Sequence, residues 1–153
     1  MDIKVRTNIS NEFDSIEVIV NAPKLDNEVQ NIVNNLLNTS NEITEVAGIR
    51  DNEIFIIKIS DVIMFYSEDK DILCKTNEGI FKVKEKLYQL EDSLPQNSFI
   101  RISNSAIINV EHVKCFDVSI LGQIIVKFKD NTYEYVSKRR VSEVMKFLKN
   151  RRR

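Results

Sequence analysis

Apolar residues near the start of the chain follow two different periods. Over residues 3–7 and 16–20, Ile and Val alternate with polar neighbours, which is the period-2 pattern of a half-exposed β-strand. From Leu25 to Leu37 the apolar residues recur every three or four positions and form one helical stripe. Asp26 is suited to cap this helix, because its carboxylate can accept a free backbone N–H. The pattern therefore predicts an N-terminal β-β-α unit that ends in the polar run 38–41.

Short apolar runs separated by turn residues fill the rest of the chain. The predicted strands are Glu53–Lys58, Asp61–Tyr66, Asp71–Lys75, Gly79–Val83, Phe99–Ile102, Ala106–Val110, Val113–Val118, Gln123–Lys129 and Thr132–Val136. Helical spacing predicts a short helix that Pro95 closes and a last helix over 141–148 that Ser137 would cap. Because consecutive strands with short links pair antiparallel, we expect a mainly β or α+β fold of short antiparallel sheets with flanking helices.

The composition narrows the class of protein. With 153 residues, of which 42% are apolar and 29% charged, the chain suits one compact domain with a small appendage rather than a disordered segment. Only 3 glycines are present, so Asn and Asp are expected in most tight turns, including one at Asp130-Asn131. Cys74 and Cys115 provide neither a disulfide scaffold nor a CxxC site, and reduced thiols in a cytoplasmic protein are the simplest interpretation.

The net charge of −1 hides an asymmetry along the chain. Residues 1–100 carry 10 Lys and Arg against 18 Asp and Glu, whereas residues 101–153 carry 12 against 5. The local charge is therefore −8 in the first part and +7 in the second, and removing the last three arginines still leaves an excess of +4. A basic region of this kind is expected to attract a polyanion such as nucleic acid.

Residues that would support catalysis are sparse. His112 is the single histidine, and a surface or edge-strand position is the simpler interpretation of it. The three glycines are isolated, so no phosphate-binding loop is present, and no cofactor or metal is expected. The adjacent acids Glu91 and Asp92 are expected on an exposed helix face rather than as an acid–base couple. The sequence therefore does not indicate an enzyme.

The first candidate binding segment runs from Phe99 to Asn109. A predicted strand delivers Arg101, and the small polar residues Ser103, Asn104 and Ser105 follow before the next strand. Such side chains can contact phosphates and base edges from a loop. Two structural alternatives stay open, namely an ordinary polar turn and an arginine that anchors a neighbouring loop.

The second candidate binding segment is Lys138, Arg139 and Arg140. If Ser137 caps the last helix, these cations occupy its first turn, where the helix dipole disfavours positive charge by several tenths of a kcal/mol each. Cations beside free N–H groups are suited to bind phosphate, so function explains the placement better than stability does. The structural alternative is a solvated run of charges paired with acidic residues elsewhere in the chain.

From about Glu53 to Leu148 the sequence resembles the LytTR DNA-binding domain of bacterial transcriptional regulators. The family's strongest motif reads roughly F-x-R-x-H-x-S-x-x-x-N, and Phe99, Arg101, Ser105 and Asn109 match it in order and spacing. Ser103 stands where the family has a base-contacting histidine. The C-terminal S-R-R element matches Ser137, Lys138 and Arg139, although a lysine in place of arginine loses the planar fork that reads guanine.

The resemblance implies a non-enzymatic regulator of transcription that holds loops in the major groove of double-stranded DNA. It implies contacts from Arg101, Ser103, Asn104, Gln123, Lys138, Arg139 and Arg140, with Ser119 as a further loop candidate. Family members commonly bind paired repeats as homodimers, and small members are often encoded beside a membrane protein. The roughly 50 residues before the match are too few for a receiver domain.

Two predictions complete the sequence-based picture. The domains are predicted as residues 1–47, a dimerisation or regulatory unit, and residues 48–153, the DNA-binding domain. The alternative function is a non-enzymatic protein-interaction or sensor-adaptor module that binds an acidic partner or a membrane protein.

Overall fold

The computed structural model describes residues 3–39 and 41–151, and the side chains of 38 and 39 are not described. The chain divides into two units, Met1–Asn38 and Thr39–Arg153. The division falls within the polar run that the sequence marked as a boundary. The predicted domain boundary between residues 47 and 48 would fall inside strand β1 (Glu45–Arg50), which belongs to the second unit.

The described residues of the first unit include one helix, α1 (Asn27–Thr39), whose last residue is the first of the second unit. Asp26 caps it as predicted, since its Oδ1 accepts a hydrogen bond from Val29 N at 3.1 Å. The strands predicted over 3–7 and 16–20 are absent from the described residues, so the β-β part of the β-β-α prediction is wrong. Alternation marks the face that a strand would bury, but a strand also needs a neighbour for its backbone hydrogen bonds. Within the described residues 3–25, the one backbone–backbone hydrogen bond joins Phe13 N to Ser10 O in a turn.

The second unit contains the remaining strands and helices. The other strands are β2 (Glu53–Lys58), β3 (Val62–Glu68), β4 (Asp71–Thr76), β5 (Gly79–Val83), β6 (Phe99–Ser103), β7 (Ala106–Asn109), β8 (Val113–Asp117), β9 (Ile125–Phe128) and β10 (Tyr133–Tyr135). The helices are α2 (Leu87–Ser93) and α3 (Val141–Arg151). Among the described helices, none is long and apolar enough to cross a membrane.

All strands in the described part of the chain pair antiparallel, which confirms the predicted mainly β class with flanking helices. One sheet has seven strands in the order β2-β1-β5-β4-β3-β7-β6, and the other has three in the order β10-β9-β8. Asp and Asn supply most of the residues with positive φ in the tight turns, as the low glycine content predicts. Asp51, Asn52, Asp69 and Asn131 all have positive φ, the region that these residues tolerate best after glycine.

Two hydrophobic clusters stabilise the second unit. The first cluster packs strand residues such as Phe65, Phe81 and Phe99 with residues of α2. The second cluster packs strand residues such as Ile102 and Phe128 with Val144 of α3. β3 contributes residues to both clusters, because Val62 and Phe65 belong to the first and Ile63 and Met64 to the second. The seven-stranded sheet is therefore covered on both faces where β3 and β6 lie.

β1 was not predicted from the sequence. Its buried positions are Val46 and Gly48, so it lacks the alternating large apolar residues of a recognisable strand. A Cβ at Gly48 would lie 2.5 Å from Cδ1 of Ile57 and 2.7 Å from Cβ of Phe81. The close approach of β2 and β5 therefore explains the glycine in this strand.

Candidate nucleic-acid interface

Three chain segments that carry predicted contact residues meet at one end of the second unit. Ser137 N donates to Ile102 O at 2.9 Å, which places the start of the basic turn beside β6. Val136 N donates to Ile124 O at 3.0 Å, which places the loop that contains Gln123 beside the same residues. The β6–β7 hairpin, the β8–β9 loop and the basic turn before α3 are therefore joined by backbone hydrogen bonds. Below, these three segments are called the interface.

The β6–β7 hairpin begins at an irregularity in the sheet. The register of β6 against β7 shifts between Arg101 and Ser103, so Ile102 is an extra residue on β6. Its side chain is fully buried in the second cluster while its carbonyl accepts from Ser137 N. Irregularities of this kind redirect the residues that follow them and are common beside functional sites.

The tip of the hairpin is the two-residue turn Asn104-Ser105. Ser103 Oγ accepts from Ser105 N at 3.2 Å and lies 3.2 Å from Ser105 Oγ, so both hydroxyls are engaged within the turn. Ser105 O in turn accepts from Ser67 N at 2.9 Å, which fixes the hairpin to β3. The side chain of Asn104 is exposed and makes no hydrogen bond with the described residues. Asn104 therefore offers a free amide at the end of a rigid hairpin.

Arg101 is directed into the protein rather than toward solvent. Its side chain is 15% exposed, and its Nη1 lies 2.8 Å from Oε2 of Glu91. Its Nε donates to Ser103 O at 3.0 Å, and its Nη2 donates to Asn104 O at 2.6 Å. The arginine thus anchors the hairpin, which is the structural alternative left open by the sequence, and direct DNA contact by Arg101 is not favoured by this geometry.

The basic residues 138–140 form one 3-10 turn that leads directly into α3. Ser137 caps this turn through its backbone, since Ser137 O accepts from Arg140 N at 2.9 Å. Its hydroxyl makes no capping hydrogen bond, so the predicted side-chain cap is wrong. The α-helix begins only at Val141, so Ser137 precedes the 3-10 turn and not the first turn of α3.

Only part of the positive charge at the interface is free. Lys138 and Arg139 are exposed and form no ion pair with the described residues. Arg140 is 25% exposed, and its Nη1 lies 2.9 Å from Oε2 of Glu143 and 3.9 Å from Oε1 of Glu91. Two carboxylates therefore hold Arg140, while Lys138 and Arg139 are available to an anion.

The β8–β9 loop completes the interface. Asp117 begins it and accepts from Ser119 N at 3.0 Å. Hydrogen bonds from Ser119, together with Lys127, lower the pKa of Asp117 to about 2. Gly122 has a φ of +74°, which a residue with a Cβ would adopt only under strain, and Gln123 N donates to Ile120 O at 3.1 Å. The loop is thus a defined turn that presents Gln123, half-buried, beside the other two segments.

Glu91 lies on α2 and contacts two arginines of the interface, a role that sequence reasoning missed. It was expected on an exposed helix face, and its side chain is 37% exposed, but nothing in the sequence indicated that it faces two arginines. One available signal was its place on α2, shortly before the Phe99–Asn109 segment.

The Phe99–Asn109 segment also contains residues with a structural role. Phe99 and Asn109 are buried, and Asn109 Nδ2 donates to Val62 O at 2.9 Å. Two of the four matched motif residues, Phe99 and Asn109, therefore have a structural role and are not available for contact with DNA.

The chain is similar to known proteins in both sequence and fold. The family model for the LytTr DNA-binding domain matches residues 52–149. An HTH-type transcriptional regulator of Staphylococcus aureus strain NCTC 8325 is 37% identical over 135 residues, which are 88% of this chain and 90% of that protein. Another, from strain MSSA476, is 38% identical over 125 residues, 82% and 84% of the two chains.

The fold has been seen before in a solved structure. A LytTr DNA-binding domain from Bacillus cereus superposes with a TM-score of 0.67 at 24% sequence identity, covering 69% of this chain and 97% of that one. In the described part of the second unit α2 and α3 are separated by five strands, so the two do not form a helix-turn-helix. From the family match, the relatives and the shared fold, this chain belongs to the LytTR DNA-binding domain family.

Proposed function

We propose that this protein is a transcriptional regulator that binds double-stranded DNA in a sequence-specific manner. The observation that carries the proposal is the convergence of the β6–β7 hairpin, the β8–β9 loop and the basic 3-10 turn through two backbone hydrogen bonds. These segments come from three separate parts of the sequence, and the fold gives them one common position. Base reading requires polar side chains to be held in a defined position, and ordered backbone beneath them contributes to this.

The residues divide between two kinds of contact. Lys138 and Arg139, exposed and unpaired with the described carboxylates, would bind phosphates and provide affinity for any sequence. Asn104 and Gln123 would read base edges in the major groove, since an amide both donates and accepts. Ser103 would contribute less than its place in the motif suggests, because its hydroxyl is engaged in the turn. Arg101 would act by anchoring the hairpin, and Arg140, paired with two carboxylates, would bind phosphate only weakly.

Selection of bound duplexes from a random pool tests this function. The proposal expects one recurring sequence motif, and the spacing of two copies would report the homodimer that we also propose. Asn104→Ala should change the preferred sequence while leaving the affinity for random duplex within about twofold, because the amide contacts no phosphate in this scheme. Recovery of no motif, or of the same motif from the wild type and the variant, would contradict the assignment of base reading to Asn104.

A second candidate function, a protein-interaction or sensor-adaptor module, is favoured by one observation. Large apolar side chains of the first unit are exposed, among them Val5, Ile9 and Ile16. A DNA interface on the second unit does not use them, so they would suit a second copy or a membrane-protein partner. If the purified protein fails to retard random duplex DNA at low salt, this candidate replaces the first.

A further inference from the structure

We infer that Glu91 is a positioning residue for DNA recognition, one that raises sequence discrimination while lowering general affinity. The inference rests on the proposed function and assigns a role to a residue that would not itself contact DNA. It follows from the placement of a single carboxylate between two arginines that serve different segments of the interface.

The two oxygens of Glu91 face different partners. Oε2 accepts from Nη1 of Arg101 at 2.8 Å, and Oε1 lies 3.9 Å from Nη1 of Arg140. The first contact is a charge-assisted hydrogen bond to a guanidinium that is 15% exposed, whereas the second is a longer ion pair. Glu91 thus connects α2 to both the β6–β7 hairpin and the basic turn.

Through Arg101, the carboxylate fixes the hairpin. The other two donating nitrogens of Arg101 bind the backbone carbonyls of Ser103 and Asn104, so the guanidinium fixes the backbone of the turn that carries the Asn104 side chain. Without the negative charge of Glu91, the partly buried position of the guanidinium is less stable. It would turn toward solvent or toward a DNA phosphate, and the hairpin would lose two of its hydrogen bonds.

Through Arg140, the same carboxylate weakens phosphate binding. Glu91 and Glu143 together neutralise the arginine that stands next to Lys138 and Arg139. A DNA phosphate must therefore compete with two carboxylates for Arg140, and it also meets their negative charge. Loss of Glu91 should consequently have opposite effects on general affinity and on discrimination, and a merely structural residue would lower both.

Glu91→Gln tests the inference in the full-length protein. Fluorescence anisotropy would give the Kd for a duplex carrying the selected motif and for a scrambled duplex of equal length, over a range of salt. We expect the scrambled duplex to bind about three- to tenfold more tightly, with a salt slope steeper by up to about 0.9. We expect the ratio of the two affinities to fall about tenfold, the effect of one misread base pair.

Two variants serve as matched controls. Glu143→Gln also releases Arg140 but leaves the pair of Glu91 and Arg101 intact, so general affinity should rise and the ratio should not change. Asp92→Asn makes the same change of charge one residue further along α2, at an exposed position, and should leave the ratio unchanged. Arg101→Lys keeps a positive charge without the planar fork and should lower the ratio as Glu91→Gln does.

The outcomes separate the inference from the function on which it rests. If wild-type protein binds both duplexes equally, the proposed function fails. If wild-type protein discriminates and Glu91→Gln discriminates equally well, the inference is overturned, as it is if both affinities fall together in a protein with wild-type circular dichroism. Should Glu91→Gln not fold, Arg101→Lys decides, since unchanged discrimination in that variant would also overturn the inference.

Discussion

The two free cations of the basic turn give the most direct quantitative prediction. Lys138 and Arg139 are exposed and have no carboxylate partner among the described residues, so each is expected to neutralise one DNA phosphate. For duplex DNA the logarithm of the binding constant falls with the logarithm of salt concentration by about 0.9 per neutralised phosphate. The double variant Lys138→Ala/Arg139→Ala should therefore have a slope about 1.8 smaller than that of the wild type.

The size of the effect can be worked out for an accessible range of salt. Between about 50 and 200 mM salt, a slope of about 1.8 corresponds to a change of about twelvefold in affinity. Wild-type protein should thus lose about twelvefold more affinity than the variant across this range, and on random and selected sequences alike. Fluorescence anisotropy at four or more salt concentrations measures both slopes.

A control with the same loss of charge is available at the other side of the sheet. Lys58 lies on β2, the edge strand opposite β6, and Lys84 follows β5 in the same half of the sheet. Lys58→Ala/Lys84→Ala should leave the slope within about 0.3 of the wild-type value, because neither residue reaches a phosphate in the proposed complex. Equal slopes for wild type and Lys138→Ala/Arg139→Ala would refute the assignment of phosphate contacts, and equal loss in both double variants would attribute the effect to net charge alone.

Three further predictions concern the fold. Gly48→Ala should destabilise the protein by about 1–3 kcal/mol in urea unfolding, because the added Cβ would lie 2.5 Å from Ile57 Cδ1. Asn109→Ala should cost about 1–3 kcal/mol in the same assay, because it leaves a buried carbonyl of β3 without its donor, and wild-type stability would contradict this. A thiol reagent at pH 8 should modify Cys115, which is exposed, and spare Cys74, whose burial raises its pKa to about 12. Two modified thiols per native chain would refute that last prediction.

The sequence predicted the strands that bury alternating large residues. β2 and β5 have the predicted bounds, and the other predicted strands of the second unit differ from the structure by one or two residues at one or both ends. β1 was not predicted because a glycine occupies one of its two buried positions. The strand depends on packing against β2 and β5, which the sequence does not reveal. The N-terminal strands failed for the converse reason, since residues 3–7 and 16–20 have the pattern of strands without a partner to pair with.

The sequence predicted which residues form the candidate interface but not which of them are free and which are held in ion pairs. Both constellations named from the sequence meet in the structure, because Ser137 bonds to β6. Which arginine is free could not be read from the sequence, since Arg101, Arg139 and Arg140 all stand in basic or polar surroundings. Their roles depend on Glu91 and Glu143, and only Glu143 is close to any of them along the chain.

The position of β1 in the sheet has a practical consequence for anyone trimming this protein. A fragment cut to the residues of the family match, 52–149, would retain every proposed contact residue but would lack β1, which lies between β2 and β5. Its removal would detach β2 from the sheet and expose the backbone edge of β5, a surface that invites aggregation. Reporter fusions and crystallisation fragments should therefore start upstream of Glu45, where the first strand of the sheet begins.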